Sequence, residues 1–297
     1  MRWFFEISMR YLINTISFRV LWILAYLLSL LPTGMLYATT SALFLLDYHL
    51  VGYRKNVVVT NLSRSFPLKK YEHIHAVMKD FYRSFWDHFA EILKSFSIAP
   101  HQQAKKIELQ GFEFLTSHIS EGRNVIAALG HCGNWELFNI LPFCLPIECY
   151  SVYKPLRNKV LDKLMLALRS RFGMKLIPAK QVARHILSGK HSAALYLFLG
   201  DQCPRVVDEN YRIEFLNQPT AMFPGIEKIG KASNSVLVYF NVIQKSRGKY
   251  RITCQPLTDK PKELEDYKIT RDYGHLLEQN ICQQEFNWLW VHRRWKR

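Results

Sequence analysis

The sequence predicts an α/β fold, a mixed sheet flanked by helices, with an apolar helical segment before it. Two observations indicate the sheet domain: short apolar runs recur after residue 100, and helix-like stretches separate them. A third observation, an uncharged stretch near the N-terminus, sets the beginning of the chain apart. The 297 residues are enough for one domain of about 250 residues and an appendage.

The appendage is predicted from residues 20–46, which contain no Asp, Glu, Lys or Arg and are long enough for a membrane segment. Pro32 and Gly34 interrupt it, and each arm of roughly 12 residues reaches only about 18 Å of a hydrocarbon core of about 30 Å. Two arrangements of this segment are therefore compatible with its length: one kinked membrane span, or a hairpin that lies in one leaflet. The stretch is too long for a cleavable signal peptide. We predict a retained membrane anchor over residues 1–47, the alternative being a buried hairpin of a soluble protein.

The charge distribution indicates which partners, and which side of a membrane, the remaining domain (residues 48–297) faces. Lys and Arg number 40 against 24 Asp and Glu, a net charge of +16, which attracts nucleic acid, anionic lipid or an acidic protein. The uncharged stretch favours an anionic membrane surface over nucleic acid. Three arginines precede that stretch and five basic residues follow it closely, which predicts a cytoplasmic domain. These residues are Arg2, Arg10 and Arg19, then Arg54, Lys55, Arg64, Lys69 and Lys70.

The domain is predicted to begin with a helical segment that extends to about residue 100. Apolar residues between 68 and 97 recur in steps of three and one, as on one face of an amphipathic helix. Asp87 and Glu91 lie four apart on it, and we expect a solvated acidic pair. Strands are then predicted at 124–129, 147–153, 193–199, 213–216 and 236–242. Helices are predicted near 134–142, 156–171, 181–188 and 268–290.

Several kinds of site are disfavoured by the motifs. The six cysteines form no C-x-x-C pair and no Cys/His ligand spacing, so that neither a zinc site nor a disulfide framework is indicated. The sequence has no G-x-S-x-G, H-E-x-x-H, Walker or G-x-G-x-x-G motif. We therefore predict a site without metal or organic cofactor.

The strongest candidate for chemistry is the segment ALGHCGNWEL, residues 128–137, which follows an apolar strand and opens a helix. On one continuous helix, His131 and Glu136 would lie about 140° apart and would not meet. Gly130 and Gly133 allow a tight turn, with Asn134 as N-cap, from which Glu136 could reach the imidazole. A carboxylate there would fix the tautomer while the other ring nitrogen takes a proton from a hydroxyl. A purely structural histidine is the alternative.

His131-x-x-x-x-Glu136 in this setting resembles the signature of the lysophospholipid acyltransferase superfamily, in particular its late lipid A acyltransferase (lauroyl/myristoyl acyltransferase) family. Further segments resemble that family in the same order, over most of the chain. They are YRKNVVVTNLSRSFP (53–67), YKPLRN (153–158), Arg169, Arg171, Gly173, Asp201-Gln202, Glu214-Phe215, residues 219–225 and residues 288–296. Two places depart from the family pattern, and both bear on chain-length preference and acceptor: Cys132, where an aromatic residue is common, and the loosely matching residues 213–225.

The resemblance implies a glycerolipid-acyltransferase-like fold and an O-acyltransferase that moves a fatty acyl group from a carrier thioester to a hydroxyl, or acyl-chain hydroxyl, of a lipid A precursor. It implies His131 as base and Glu136 as its orienting partner in a His/Glu dyad, with Asn134, Arg169 and Asp201 as substrate-binding or oxyanion candidates. It also implies acyl carrier protein as the donor, a membrane glycolipid as acceptor, and the cytoplasmic side of the inner membrane. Alternatives are another lipid acceptor, such as an aminolipid or phosphatidylinositol mannoside, and a non-catalytic membrane-binding protein.

Overall fold

The computed structural model describes residues 2–204 and 206–295, with side chains from residue 14 onward. The strands are β1 (Ile107–Gln110), β2 (Val125–Leu129), β3 (Cys149–Tyr153), β4 (Lys175–Pro178), β5 (Leu195–Leu199), β6 (Arg212–Phe215), β7 (Gln218–Ala221), β8 (Val236–Ser246) and β9 (Lys249–Thr258). The α-helices are α1 (Arg2–Ser29), α2 (Thr33–Leu46), α3 (Lys55–Ser65), α4 (Tyr71–Lys94), α5 (Pro100–Ala104), α6 (Phe112–Ser120), α7 (Leu141–Cys144), α8 (Lys159–Ser170), α9 (Val182–Leu187), α10 (Gly225–Ser233) and α11 (Lys268–Gln283).

The main sheet has seven strands in the order β1-β9-β8-β2-β5-β3-β4. Its neighbouring strands are parallel except for the hairpin of β8 and β9. β6 and β7 form a separate antiparallel pair. All five residues of β2 are buried, as expected for a strand covered on both faces by helices. The predicted α/β fold is confirmed, and β2 and β5 lie side by side at the centre of the sheet.

Most predicted elements are found, and four of the described strands were not predicted, for two different reasons. The amphipathic helix is α4, and the five predicted strands correspond to β2, β3, β5, β6 and β8. β9 was not predicted because its buried residues Tyr250, Ile252 and Cys254 alternate with more exposed ones instead of forming a continuous apolar run. β1, β4 and β7 have only four residues each, too few to show a clear alternation of apolar and polar residues.

The N-terminal helices α1 and α2 meet at a bend of 109°. Among the described residues no single helix is both long and apolar enough to cross a membrane, but the segments Asn14–Ser29 and Thr33–Val51 pass that test as a bent pair. The chain therefore breaks where Pro32 interrupts the apolar stretch, and both arrangements of the anchor stay open. The side chains of Arg2 and Arg10, like residues 296–297, lie outside the described part.

α2 is also part of the packed domain. Its residues Leu36, Thr40 and Phe44 are buried, and its helical turns continue past the predicted boundary at residue 47 as a π-helical turn, Asp47–Val51. The amine of Lys94, at the end of α4, donates hydrogen bonds to the carbonyl oxygens of residues 29 and 31, at 2.9 and 3.0 Å. A cation at the C-terminal end of α1 satisfies carbonyls that the helix leaves free, and so holds the bend.

The outward faces of α1 and α2 carry apolar side chains that are half exposed. Such a contiguous apolar surface is unusual for a water-facing monomer and is typical of contact with lipid or another protein. Its large members are Ile16, Val20, Ile23, Leu24, Leu27, Leu28, Leu30, Met35, Leu43, Leu45 and Leu46. We name this set the apolar N-terminal face, and predict that it contacts the membrane.

Replacing Leu24, Leu27 and Leu28 by Glu should release the protein from membranes, because charged groups at this face oppose burial in lipid. The matched control replaces three exposed leucines of the sheet domain, Leu156, Leu161 and Leu187, by Glu. Flotation on liposomes measures association, and circular dichroism checks folding. Equal flotation of the two variants would contradict the assignment. Point variants are preferable to truncation before His49, which would also remove the buried side of α2.

Candidate active site

The central feature of the site is a hydrogen-bonded pair at the carboxyl edge of two adjacent parallel strands. His131 follows β2 and Asp201 follows β5, and the last residues of these strands, Leu129 and Leu199, are register partners. Nδ1 of His131 lies 2.5 Å from Oδ1 of Asp201, and the His131 backbone N–H donates to Oδ2 at 2.8 Å. The indole N–H of Trp288 donates to the same Oδ2 at 2.7 Å. The carboxylate is thus held by three donors.

These contacts fix the charge of Asp201 and the tautomer of His131. Burial opposes ionisation of Asp201, but the charge and hydrogen bonds of His131, together with the Trp288 hydrogen bond, lower the pKa of Asp201 to about 2. An ionised carboxylate accepts only, so Nδ1 of His131 carries the proton. Nε2 is then the basic nitrogen, and it lies 3.3 Å from the side-chain nitrogen of Gln202. His131 is therefore oriented as a proton acceptor.

A close approach at Gly130 allows this geometry. A Cβ atom at that position would collide with the side chain of Leu277 in α11. A larger residue would therefore require the end of the buried Leu277 side chain to move. The glycine that the sequence suggested as a turn residue thus also leaves room for the Leu277 side chain.

Glu136 does not contact the imidazole as the sequence predicted. Its carboxylate forms a two-point ion pair with Arg169 of α8, at 2.8 Å from Nε and 2.5 Å from Nη2. Among the described residues, no hydrogen bond joins this carboxylate to His131. Glu136 lies in a 3-10 turn, Trp135–Ile140, and the Trp135 ring stands edge-on to the imidazole with centroids 4.8 Å apart. The Trp135 ring occupies the space beside the imidazole, and the Glu136 side chain points towards α8.

Asn134 is the N-cap that was predicted. Its side-chain oxygen accepts a hydrogen bond from the backbone N–H of Glu136 at 3.2 Å. Its side-chain nitrogen donates to Oε2 of Glu91 at 2.9 Å. Asn134 is buried, and both ends of its amide hold the turn.

The expectation that Asp87 and Glu91 form a solvated pair is wrong, since they are only 3% and 2% exposed. Asp87 binds the guanidinium of Arg247, whose Nε lies 2.7 Å from Oδ2. Glu91 accepts hydrogen bonds from Asn134, Tyr37 and Tyr250. Burial raises the pKa of Glu91, while these hydrogen bonds and the nearby Lys106 act in the opposite direction.

Glu91 connects the N-terminal helices to the candidate site. Tyr37 of α2 donates to Glu91 of α4 at 3.2 Å, and Glu91 accepts from Asn134, the cap of the turn that carries Glu136. A buried carboxylate with several donors is costly to disturb, because removing it leaves those donors unpaired. The position of α2 is therefore linked through one hydrogen-bonded chain to the turn beside His131.

A small aromatic pocket surrounds the imidazole. Its lining includes Phe81, Ser84, Phe85, His88, Trp135, Phe286, Trp288 and Leu289. Burial lowers the pKa of His88 to about 4, so this histidine is neutral at pH 7. Cys132, next to His131, is buried, and burial raises the pKa of its thiol well above the usual range. This thiol is a poor nucleophile at neutral pH.

Asp201 and Trp288 were singled out only through a family resemblance, and neither the contact of Asp201 with His131 nor that of Trp288 with Asp201 was foreseen. A signal for the pairing is nevertheless present in the sequence. The two central strands end in Leu-Gly followed by a polar residue, as Leu129-Gly130-His131 and Leu199-Gly200-Asp201. Parallel strands that end alike bring such residues to the same edge of a sheet. Trp288 arrives from far along the chain, and no local pattern indicates its contact.

Comparison with known proteins identifies a family and a relative. The family described as bacterial lipid A biosynthesis acyltransferase matches residues 3–297. A protein of Haemophilus influenzae (strain ATCC 51907 / DSM 11121 / KW20 / Rd), named lipid A biosynthesis acyltransferase, is 26% identical over 163 residues. That match covers 54% of this chain and 51% of the relative, so the aligned part spans about half the length of the relative.

A double-mutant cycle tests the arrangement of the acidic residues. We expect Glu136→Gln and Arg169→Gln to be coupled by about 1 to 3 kcal/mol in the free energy of unfolding, because either change leaves a partly buried charge unpaired. Glu136→Gln and His131→Gln should be coupled by less than about 0.5 kcal/mol. Urea unfolding in detergent measures both cycles. Strong coupling of Glu136 to His131, with none to Arg169, would contradict the described site.

Proposed function

This chain belongs to the bacterial lipid A biosynthesis acyltransferase family, and we propose on that basis that it transfers a fatty acyl group from a carrier thioester to a hydroxyl of a lipid A precursor. The single observation that supports the chemistry is the hydrogen bond from Nδ1 of His131 to the buried Asp201, which leaves Nε2 as a base. Deprotonation of a hydroxyl is the step for which such a base is suited.

In the proposed reaction, the acceptor hydroxyl gives its proton to Nε2 of His131 while its oxygen attacks the thioester carbonyl carbon. The carboxylate of Asp201 stabilises the imidazolium that forms. Collapse of the tetrahedral intermediate breaks the carbon–sulfur bond, and the departing thiolate takes the proton from Nε2. One C–O bond forms and one C–S bond breaks, without an acyl-enzyme. The burial of Cys132 supports this direct attack.

The roles proposed for the acidic residues follow their contacts. Asp201 orients His131. Glu136 holds Arg169, and its turn carries Trp135 against the imidazole. A guanidinium has five N–H donors, and two of those on Arg169 bind Glu136, so others remain for a phosphate or a developing oxyanion. Glu136 thus supports the site through Arg169, in place of the direct dyad that the sequence suggested.

The proposed place of the enzyme is the cytoplasmic side of the inner membrane. The apolar N-terminal face would be immersed in lipid, and the carboxyl edge of the sheet would receive a membrane glycolipid. This proposal combines the family, the bent helix pair and the basic residues that follow it.

His131→Ala and Asp201→Asn should each lower the turnover number by about 10² to 10⁴, because the base or its orienting partner is lost. The exposed His275 provides a matched control, and His275→Ala should retain wild-type activity. A strain that lacks the gene is complemented with each variant, and the mass spectrum of its lipid A is measured. We expect wild type and His275→Ala to restore one missing acyl group. Restoration by a folded His131→Ala protein at the wild-type level would contradict the mechanism.

Acyl carrier protein is the proposed donor, in preference to coenzyme A. Residues 48–297 contain 37 basic and 22 acidic residues, a net charge of +15. Such a surface accelerates encounter with an acidic carrier, and salt screens the attraction over a Debye length of about 8 Å. With the same acyl chain on both carriers at matched concentration, transfer from acyl carrier protein should be faster at low salt and should slow steeply as salt rises. Faster transfer from the coenzyme A thioester at low salt would contradict the donor assignment.

A further inference from the structure

An open groove of about 700 Å³ lies between α2, α4 and the turn that joins β8 to β9. Ser84 and Phe286 line both this groove and the aromatic pocket around His131. The two spaces are therefore neighbours, with a shared wall. At the other side, Phe44 and Leu45 of α2 line the groove, and Leu45 belongs to the apolar N-terminal face. The groove thus extends from the surface predicted to meet lipid to the vicinity of the catalytic base.

Eight of the eleven residues that line the groove are polar, although carbon atoms make up most of the surface that they expose. Its charged members are Asp80, Arg83, Asp87 and Arg247, and its uncharged polar members are Ser41, Ser84, Gln244 and Ser246. A hydrocarbon chain in this space would remove those groups from water without replacing their hydrogen bonds. A ligand with its own hydroxyl and anionic groups would satisfy them. The charged and hydroxyl groups therefore favour a polar headgroup beside them, while the apolar surface suits the adjoining part of a lipid.

The two arginines of the groove differ in their charged partners. Arg247 is paired with the buried Asp87, and its guanidinium also lies over the ring of Tyr37, 4.1 Å from the centroid. Arg83 is exposed, and its guanidinium lies 5.6 Å from the centroid of the Phe44 ring. No carboxylate within residues 14–204 and 206–295 forms an ion pair with Arg83. Arg83 is therefore the cation of this groove that is available to an anion, and guanidinium matches phosphate in geometry.

We propose that this groove binds the phosphorylated sugar headgroup of the acceptor glycolipid, with Arg83 contacting a phosphate. The inference rests on the proposed function and specifies which surface receives its acceptor. The acyl chains of the acceptor would remain beside Leu45 and the apolar N-terminal face, while its reacting hydroxyl would approach His131 past Ser84 and Phe286.

Kinetics of Arg83→Gln test the proposal, using a phosphorylated lipid A precursor and the same glycolipid after phosphatase treatment as acceptors. The loss of one charged phosphate contact should raise KM for the phosphorylated acceptor about 10- to 100-fold. KM for the acyl donor and all constants with the dephosphorylated acceptor should change little. Lys79→Gln is the matched control, because it removes the same charge from an exposed position of α4 outside the groove. Arg83→Lys should restore part of the loss.

The outcomes separate the groove from the proposed function. If wild type transfers the acyl group but Arg83→Gln leaves the acceptor KM unchanged, or affects both acceptors equally, the groove assignment is overturned and the function stands. If wild type transfers no acyl group, the proposed function fails. In that case we measure how the two glycolipids bind, in detergent micelles, to the His131→Ala protein with and without Arg83→Gln. This binding tests the groove assignment independently of catalysis. Phosphate-dependent binding that requires Arg83 supports it, and binding without that dependence overturns it.

Discussion

The parallel pairing of β2 with β5 determines the position and the chemistry of the candidate site. Because Leu129 and Leu199 are register partners, the residues two positions beyond them meet, and these are His131 and Asp201. A shift of one residue in this register would separate the imidazole from its carboxylate. The buried Asp201 is kept ionised by His131 and Trp288, so the folding of the sheet and the orientation of the imidazole depend on the same contacts.

The N-terminal helices have two roles, which belong to opposite faces of the helices. The outward face of α1 and α2 is apolar and half exposed, whereas the inward face of α2 covers the carboxylates of Asp87 and Glu91. Glu91 reaches Asn134 and thereby the turn of Glu136 and Trp135. Contact of the outward face with lipid would hold α2 in place, and α2 in turn supports one wall of the groove and the turn beside His131. We regard α2 as a structural component of the site as well as part of the predicted anchor.

The sequence predicts those features that depend on local pattern. The periodicity of α4, the continuous apolar runs of β2 and β5, and the capping role of Asn134 are local, and the structure confirms them. The partners of the charged residues depend on long-range packing and were predicted less well. Glu136 binds Arg169, 33 positions away, and Asp87 binds Arg247, 160 positions away. Spacing along the chain cannot show such contacts, and it led to the expectation of a solvated acidic pair and of a direct contact between Glu136 and His131.

The central claim, that Asp201 and not Glu136 orients the imidazole, is tested most directly by nitrogen-15 and proton NMR of histidine-labelled protein in detergent micelles. Residue assignment uses the His131→Ala spectrum. We predict that the His131 proton resides on Nδ1 with a strongly downfield resonance, because it is donated to a buried carboxylate. That resonance should be lost in Asp201→Asn and retained in Glu136→Gln. A proton on Nε2, or a signal that survives Asp201→Asn and disappears in Glu136→Gln, would contradict the account.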